Sequence, residues 1–451
     1  MSLGLIDHLA TTEPLAGIFS DTGVLGALLH FETALARVQA RLGVIPPAAA
    51  DAIARAAVVE AFDPETIARA GRASATVVLP LVEALAARVR ALDPSAAAFV
   101  HWGATSQDAM DTALALCLSR AAPALRADHD RLVAALRRLS DAHAGSVMLG
   151  RTLLQPASPI TFGLKAAGWF AAVSRTGARV LAAFEEACVL QFGGAAGTLG
   201  ALGVDGPRIA AELARELGLR DPGAAWHAHR DRLASLVAAC GVYTGALAKI
   251  ARDVALLMQP EVAEVSEPGG QSSAMPHKRN PAGCAAALAA AGRLPGLVAA
   301  MLSGMPQEHE RGLGGWQADA ASVAAAVQAT GATLASMAEV IDGLRVDPAR
   351  MRANLTATRG LVFAERAMMW LAPTLGRDAA GRIVAEAVAA TGRGGVGFAE
   401  ALVAGLSAAG VQAPADLASL TSADAYLSAA EELRLRLLDT DRSEPTRRGG
   451  R

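Results

Sequence analysis

Between Leu233 and Met258, apolar side chains fall at Leu233, Leu236, Val237, Cys240, Tyr243, Leu247, Ile250, Val254, Leu257 and Met258. Steps of three and four put them on one stripe of a helix. The same rhythm runs through Leu125, Leu132, Leu136 and Leu139, and through Val323, Val327, Leu334, Met337, Ile341 and Leu344. Pro159 to Leu190 and the stretch after Pro281 read as two further long helices. No stretch alternates apolar and polar residues long enough to predict a strand. The pattern predicts an all-α chain in three helical domains: an N-terminal domain over 1–108, a central long-helix bundle over 109–345 and a C-terminal domain over 346–438. The polar tail 439–451 reads as disordered.

Composition sharpens this picture. Hydrophobic residues make up 53% and aromatic ones only 4%, with alanine throughout. Small side chains let helices approach closely, which favours a tightly packed bundle over a sheet. Net charge is -2, which argues against a nucleic-acid partner. The start of the chain lacks the basic and apolar blocks of a secretory signal. The apolar runs, such as Leu233 to Ala248, read as too short for a membrane span, which needs roughly 18 uncharged residues. Cys117, Cys188, Cys240 and Cys284 are scattered, and a reduced cytoplasmic protein is the simplest reading.

Two patterns are read as structure and not as sites. Gly392 to Gly397 follows a helical segment and no strand, so it reads as a helix connection and not as a phosphate loop. His227 and His229 have no carboxylate at ligand spacing, so no metal site is expected.

Three polar islands interrupt the alanine-rich helices: His101 to Asp108, Gly150 to Pro159, and Gly269 to Asn280. Each precedes an expected helix start. Thr105 or Ser106, Ser158 before Pro159, and Asn280 before Pro281 all suit N-caps. Helix N-termini offer free N–H groups and partial positive charge, which suits carboxylates. The third island goes further, because Ser272, Ser273, His277, Lys278, Arg279 and Asn280 cluster on a glycine-rich loop.

Ser272 to Pro281 resembles the signature loop of the fumarase/aspartase superfamily. Thr105-Ser106-Gln107-Asp108 and Thr152 to Gln155 are similar to its other two active-site regions, in order and spacing. The resemblance covers essentially the whole chain. It implies a homotetramer around a twenty-helix bundle, with each active site drawn from three subunits. Within the superfamily the chain resembles the bacterial 3-carboxy-cis,cis-muconate cycloisomerases. That likeness is carried by Ile18 to Asp21, His101 to Thr112, Leu190 to Ala195, Trp226-His227, Arg230 to Arg232 and Met305 to Arg311.

Two departures matter. Superfamily lyases carry Thr-His in the second region, where this chain has Thr152-Leu153. Leucine cannot protonate a leaving group, and ring closure has none. The loop before the serines is short, and Gln271 stands where the family usually has glycine.

The resemblance implies closure of 3-carboxy-cis,cis-muconate to 4-carboxymuconolactone in protocatechuate degradation, with no cofactor. Ser272 is the first candidate for proton transfer and Lys278 its competitor. Lys278 and Asn280 would hold the carboxylate that becomes enolate-like. Thr105, Ser106 and Gln155 would bind the others, with Ser273, Met275, His101, Arg279 and Arg311 also against substrate. The alternatives are a fumarate-releasing β-elimination lyase, a cycloisomerase for a sulfonated muconate, and a non-catalytic helical scaffold.

Overall fold

The computed structural model describes residues 7–272, 274–413, 415 and 417–439. The chain opens with helices α1 (Glu13–Ile18), α2 (Asp21–Arg41), α3 (Pro47–Ala56), α4 (Pro64–Gly71) and α5 (Val78–Leu92), then the 37-residue α6 (Ser106–Ala142). Strands β1 (Val147–Thr152) and β2 (Gln155–Thr161) form a hairpin ahead of α7 (Phe162–Ala187), α8 (Gly206–Leu217) and α9 (Asp231–Leu257). Next come β3 (Val265–Ser266), α10 (Ala282–Ala291), α11 (Leu294–Gly304), α12 (Gly315–Asp342) and β4 (Arg345–Val346), which pairs with β3. Helices α13 (Pro348–Ala357), α14 (Ala364–Leu375), α15 (Arg377–Gly392), α16 (Phe398–Ala408), α17 (Leu417–Leu420) and α18 (Leu427–Leu438) follow. The fold is an all-α helix bundle, as its periodicity predicts.

Two compact units divide the chain. The first comprises residues up to Asp130, Thr176–Ala248 and Ala285–Ser336. In it α2, α3, α5 and α8 enclose Phe31, Leu35, Ile53, Leu85, Val89 and Leu213. The second comprises Arg131–Arg175, Lys249–Cys284 and the chain from Met337 onward. There α14, α15 and α16 pack around Phe363, Leu371, Ile383, Phe398 and Leu402. Each such apolar side chain contributes about 1.5–3 kcal/mol when fully buried.

Four expectations need correction. The β1–β2 hairpin stands where no strand was expected. Its first four residues are all buried, so no alternation betrays it. Ser158 and Pro159 lie inside β2 and cap nothing, because the helix starts only at Phe162. The stretch after Pro281 is two helices, parted at Gly292-Arg293, with Pro295 in the first turn of α11. Finally, α12 is uncharged from Ala320 to Ala338, a longer run than was read from the sequence. By length and composition α9, Ala282–Gly304 and α12 are each long and apolar enough to cross a membrane. In α9 and α12 about half of the apolar window, 50% and 56%, is already buried by the fold.

The Gly392–Gly397 stretch lies between α15 and α16 and turns the chain at Gly394 and Gly395, both at positive φ. The tail from 440 onward falls outside the described residues.

Candidate active site

In the first unit the site is built on the start of α6. Thr105 precedes the helix, and its N–H donates back to Asp108 Oδ2 at 3.0 Å. That is the return half of a capping box, with an acid in the first turn. Asp108 is fully buried and takes more than this one bond. Gly193 N–H donates to its Oδ1 (3.0 Å), Gly194 N–H to its Oδ2 (2.9 Å), and His227 Nε2 lies 2.7 Å from Oδ1. The glycines are required here. A Cβ at Gly193 would stand 2.4 Å from the Ala225 Cβ, and Gly194 has a φ of 67°.

One turn along α6, Asp111 collects a second set of donors. Arg230 donates to both its oxygens (2.7 and 2.8 Å) and gives its Nε to Asp319 at 2.7 Å. Gln107 and Gln191 side-chain amides also donate to Asp111, each at 3.1 Å. Burial pulls the Arg230 pKa down, but Asp111 and then Asp319 more than offset this and hold it above its ordinary value. The stretches Leu190 to Ala195, Trp226-His227 and Arg230 thus converge on the first turns of α6. They hold the start of α6, where Thr105 and Ser106 are half-buried.

Arg311 donates to the Thr105 hydroxyl, so the structure brings two expected substrate ligands together. Its loop wraps the Gln307 side chain. A Cβ at Gly312 or Gly315 would come within 2.8 Å of that side chain, and Glu308 accepts from Leu313 N–H at 3.0 Å. His101 is committed elsewhere: its Nδ1 lies 2.6 Å from the buried Glu32 carboxylate. Burial alone would lower its pKa, but the charge and hydrogen bond of Glu32 outweigh burial and raise it.

In the second unit Gln155 stands on the hairpin. Thr152 pairs with Gln155 across a two-residue turn made by Leu153 and Leu154. Both leucines have positive φ, 51° and 63°, the backbone that a type I′ turn demands and glycine or asparagine usually supplies. They are also 96% and 74% exposed, so packing does not hold them in place. Beyond the strand ladder, Arg151 ties the hairpin to a buried acid. It donates to both oxygens of Glu264 at 2.9 and 2.7 Å. Glu264 is fully buried and also accepts from the Asn354 amide at 2.9 Å.

The same segment leads, three residues on, into the serine loop. Gly270 and Asn280 close it: Asn280 N–H donates to Gly270 O at 2.7 Å, and Gln271 bridges Arg279. Only glycine fits at 270, since a Cβ there would stand 1.8 Å from Asn280 O. The tip holds Ser272, Met275 and Lys278, with Ser272 Oγ accepting from Met275 N–H at 3.1 Å. Lys278 and Arg279 are exposed and have no carboxylate partner among the described residues. Ser273 lies outside the described residues.

The expected cap at Asn280 is corrected. Gly283 and Cys284 N–H donate instead to the two oxygens of Glu267, at 2.7 and 3.1 Å. Sequence reading missed Glu267, Glu264, Glu32 and Gln307 as site-builders. The one available signal was an acid or amide standing in an otherwise apolar stretch. Among the described residues no cluster of three or more His, Cys, Asp or Glu could hold a metal ion. Each unit offers hydroxyls and N–H groups beside a cation, Arg311 in the first and Lys278 and Arg279 in the second, which is the chemistry of binding carboxylates and stabilising a developing oxyanion.

Comparison with known proteins agrees in kind. A lyase family model matches residues 8–296. The 3-carboxy-cis,cis-muconate cycloisomerase of Pseudomonas aeruginosa is 45% identical over 85% of this chain and 84% of its own. The nitrosuccinate lyase of Streptomyces davaonensis is 40% identical over 95% and 93%. The crystal structure of the 3-carboxy-cis,cis-muconate lactonizing enzyme from Pseudomonas putida superposes with a TM-score of 0.88 at 38% identity, covering 96% of this chain and 98% of that one.

Proposed function

This chain belongs to the fumarase/aspartase superfamily of lyases, and we propose how its residues carry out the reaction of the cycloisomerases it resembles. It is an enzyme of the cycloisomerase class and closes 3-carboxy-cis,cis-muconate to 4-carboxymuconolactone in the β-ketoadipate pathway of protocatechuate breakdown. The substrate is a trianion and supplies its own nucleophile. One carboxylate oxygen adds to a double bond conjugated with a second carboxylate. A C–O bond forms, the π pair moves onto that carboxylate, and an aci-carboxylate dianion results. A proton delivered to the adjacent carbon completes the lactone.

The observation that carries this reading is the loop closed at Gly270–Asn280, which presents Ser272, Lys278 and Asn280 with no acidic partner among the described residues. Lys278 and Asn280 neutralise the aci-carboxylate. Ser272 delivers the proton, and the Met275 N–H already aimed at its oxygen stabilises the alkoxide left behind, which water then reprotonates. Lys278 is the competing donor. Thr105, Ser106, Gln155 and Arg311 bind the remaining carboxylates, with Ser273, Met275, His101 and Arg279 around them. Each charge-assisted contact contributes about 1.5–3 kcal/mol.

The protein works as a cytoplasmic homotetramer with a twenty-helix central bundle, three domains per chain (1–108, 109–345 and 346–438) and sites shared by three subunits. In support, the apolar segment Ala282–Gly304 has only 28% of its window buried within one chain.

The nitrosuccinate lyase likeness favours a second reading. Leu153 offers no acid, yet a leaving group that departs as a stable anion needs none. Elimination from such a succinate therefore fits the same hairpin. Incubation with 3-carboxy-cis,cis-muconate and, separately, with nitrosuccinate and adenylosuccinate distinguishes the two. The cycloisomerase reading expects loss of diene absorbance with the first and no fumarate from the others. Fumarate release as the only turnover would overturn it.

A further inference from the structure

We propose that Glu267 is a positioning residue for substrate binding. It caps α10 in place of Asn280 and so leaves the Asn280 amide free to meet a substrate carboxylate. The inference rests on the reading that Asn280 binds substrate.

An asparagine followed by proline at a helix start ordinarily turns its side chain inward, onto the second or third N–H of the helix. Those donors are occupied here. Ala282 N–H donates to the Asn280 backbone carbonyl at 2.9 Å, and Pro281 has no N–H. Gly283 and Cys284 N–H both go to Glu267, a residue more than a dozen positions upstream whose side chain is buried. A carboxylate at this place satisfies two orphan donors at once and meets the positive end of the helix. The fit is close, because a Cβ at Gly283 would stand 2.5 Å from Val340 and 3.5 Å from Glu267 Oε1. The Asn280 side chain is left half-buried, with no hydrogen-bond partner among the described residues. Capping and substrate binding therefore compete for one amide, and Glu267 removes the competition. Without it, Asn280 would rotate onto Gly283 and Cys284 and leave the substrate.

A double-mutant cycle on the full chain, with 3-carboxy-cis,cis-muconate as the probe, tests this. Glu267→Ala is expected to raise KM about tenfold, the value of one charge-assisted bond. Glu267→Gln, whose amide oxygen accepts one of the two N–H groups, should recover most of that loss. Asn280→Ala should cost about as much in the wild-type chain but little in the Glu267→Ala background. Additive losses, or an unchanged KM in Glu267→Ala, would overturn the proposal. If Asn280→Ala alone leaves KM unchanged, the substrate role of Asn280 fails instead. The cap itself is then judged by hydrogen exchange at Gly283 and Cys284. Faster exchange in Glu267→Gln and Glu267→Ala supports it, and unchanged exchange refutes it. Should Glu267→Ala not fold, the exchange measurement on Glu267→Gln decides, and unchanged exchange there refutes the proposal.

Discussion

His227 Nε2–H donates to Asp108 Oδ1 across 2.7 Å, with both side chains shut off from solvent. This pair joins the loop after Trp226 to the first turn of α6 and fixes which imidazole nitrogen carries the proton. Because Asp108 also holds Thr105 N–H, the cap on α6 is set by a contact inside the protein.

Asp108→Asn therefore tests more than charge. The amide replaces one acceptor oxygen with an NH2 group, which must then face the N–H of Gly193, Gly194 or Thr105. We expect a stability loss of about 2–3 kcal/mol in urea denaturation, the cost of leaving buried donors unsatisfied. Turnover should fall alongside, since Thr105 loses its anchor. Wild-type stability would show that the four bonds to Asp108 are dispensable.

Arg230→Met probes the neighbouring cluster. It strands the buried carboxylates of Asp111 and Asp319, at an expected cost of about 3–5 kcal/mol. Burial already raises the Asp319 pKa, so its ionised form leans on Arg230. Adding Asp319→Asn should recover part of the loss. A double variant less stable than Arg230→Met would contradict this account of the cluster.

The His101–Glu32 pair makes a pH prediction. The folded-state pKa of His101 lies above the ordinary 6.5. A group raised in this way stabilises the fold fully below its unfolded value, and that contribution fades as pH rises through the folded one. Chemical denaturation between about pH 6 and 9 should show stability falling with pH in the wild type and a flatter profile in Glu32→Gln. Parallel profiles would remove the pair from the account.

The hairpin turn carries strain that glycine would relieve. Leu154→Gly should raise stability by about 1 kcal/mol, because a non-glycine residue in the left-handed region costs about 1–2 kcal/mol. If the exposed leucines border the substrate, KM should rise in the same variant. Leu153→His supplies the acid that superfamily lyases carry, and should either slow lactonisation or add fumarate release.

Much of the helical framework was legible because three-four periodicity survives in any single helix. Ala282–Ala291 and Leu294–Gly304 were harder, since a break at Gly292-Arg293 hardly disturbs an alanine-rich pattern. The hairpin was hidden because Val147 to Gly150 are all buried and Ser158-Pro159 looked like a helix start. Thr105, Ser106 and the Ser272–Asn280 loop were visible as polar islands. Their supports were not. Asp111 meets Arg230 across 119 positions, and Glu264 meets Arg151 across 113. No local pattern encodes such pairings. The Asn280 cap failed for the same reason, as a distant carboxylate took the donors that local chemistry would have assigned to Asn280.

The most direct test of the account is the lactonisation rate of Ser272→Ala and Lys278→Met against wild type, followed by loss of diene absorbance from 3-carboxy-cis,cis-muconate. Losing a positioned proton donor costs typically 10²–10⁴-fold, so both variants should fall by roughly two orders of magnitude or more while remaining folded and assembled. Near-wild-type rates in both would contradict the placement of the chemistry on this loop.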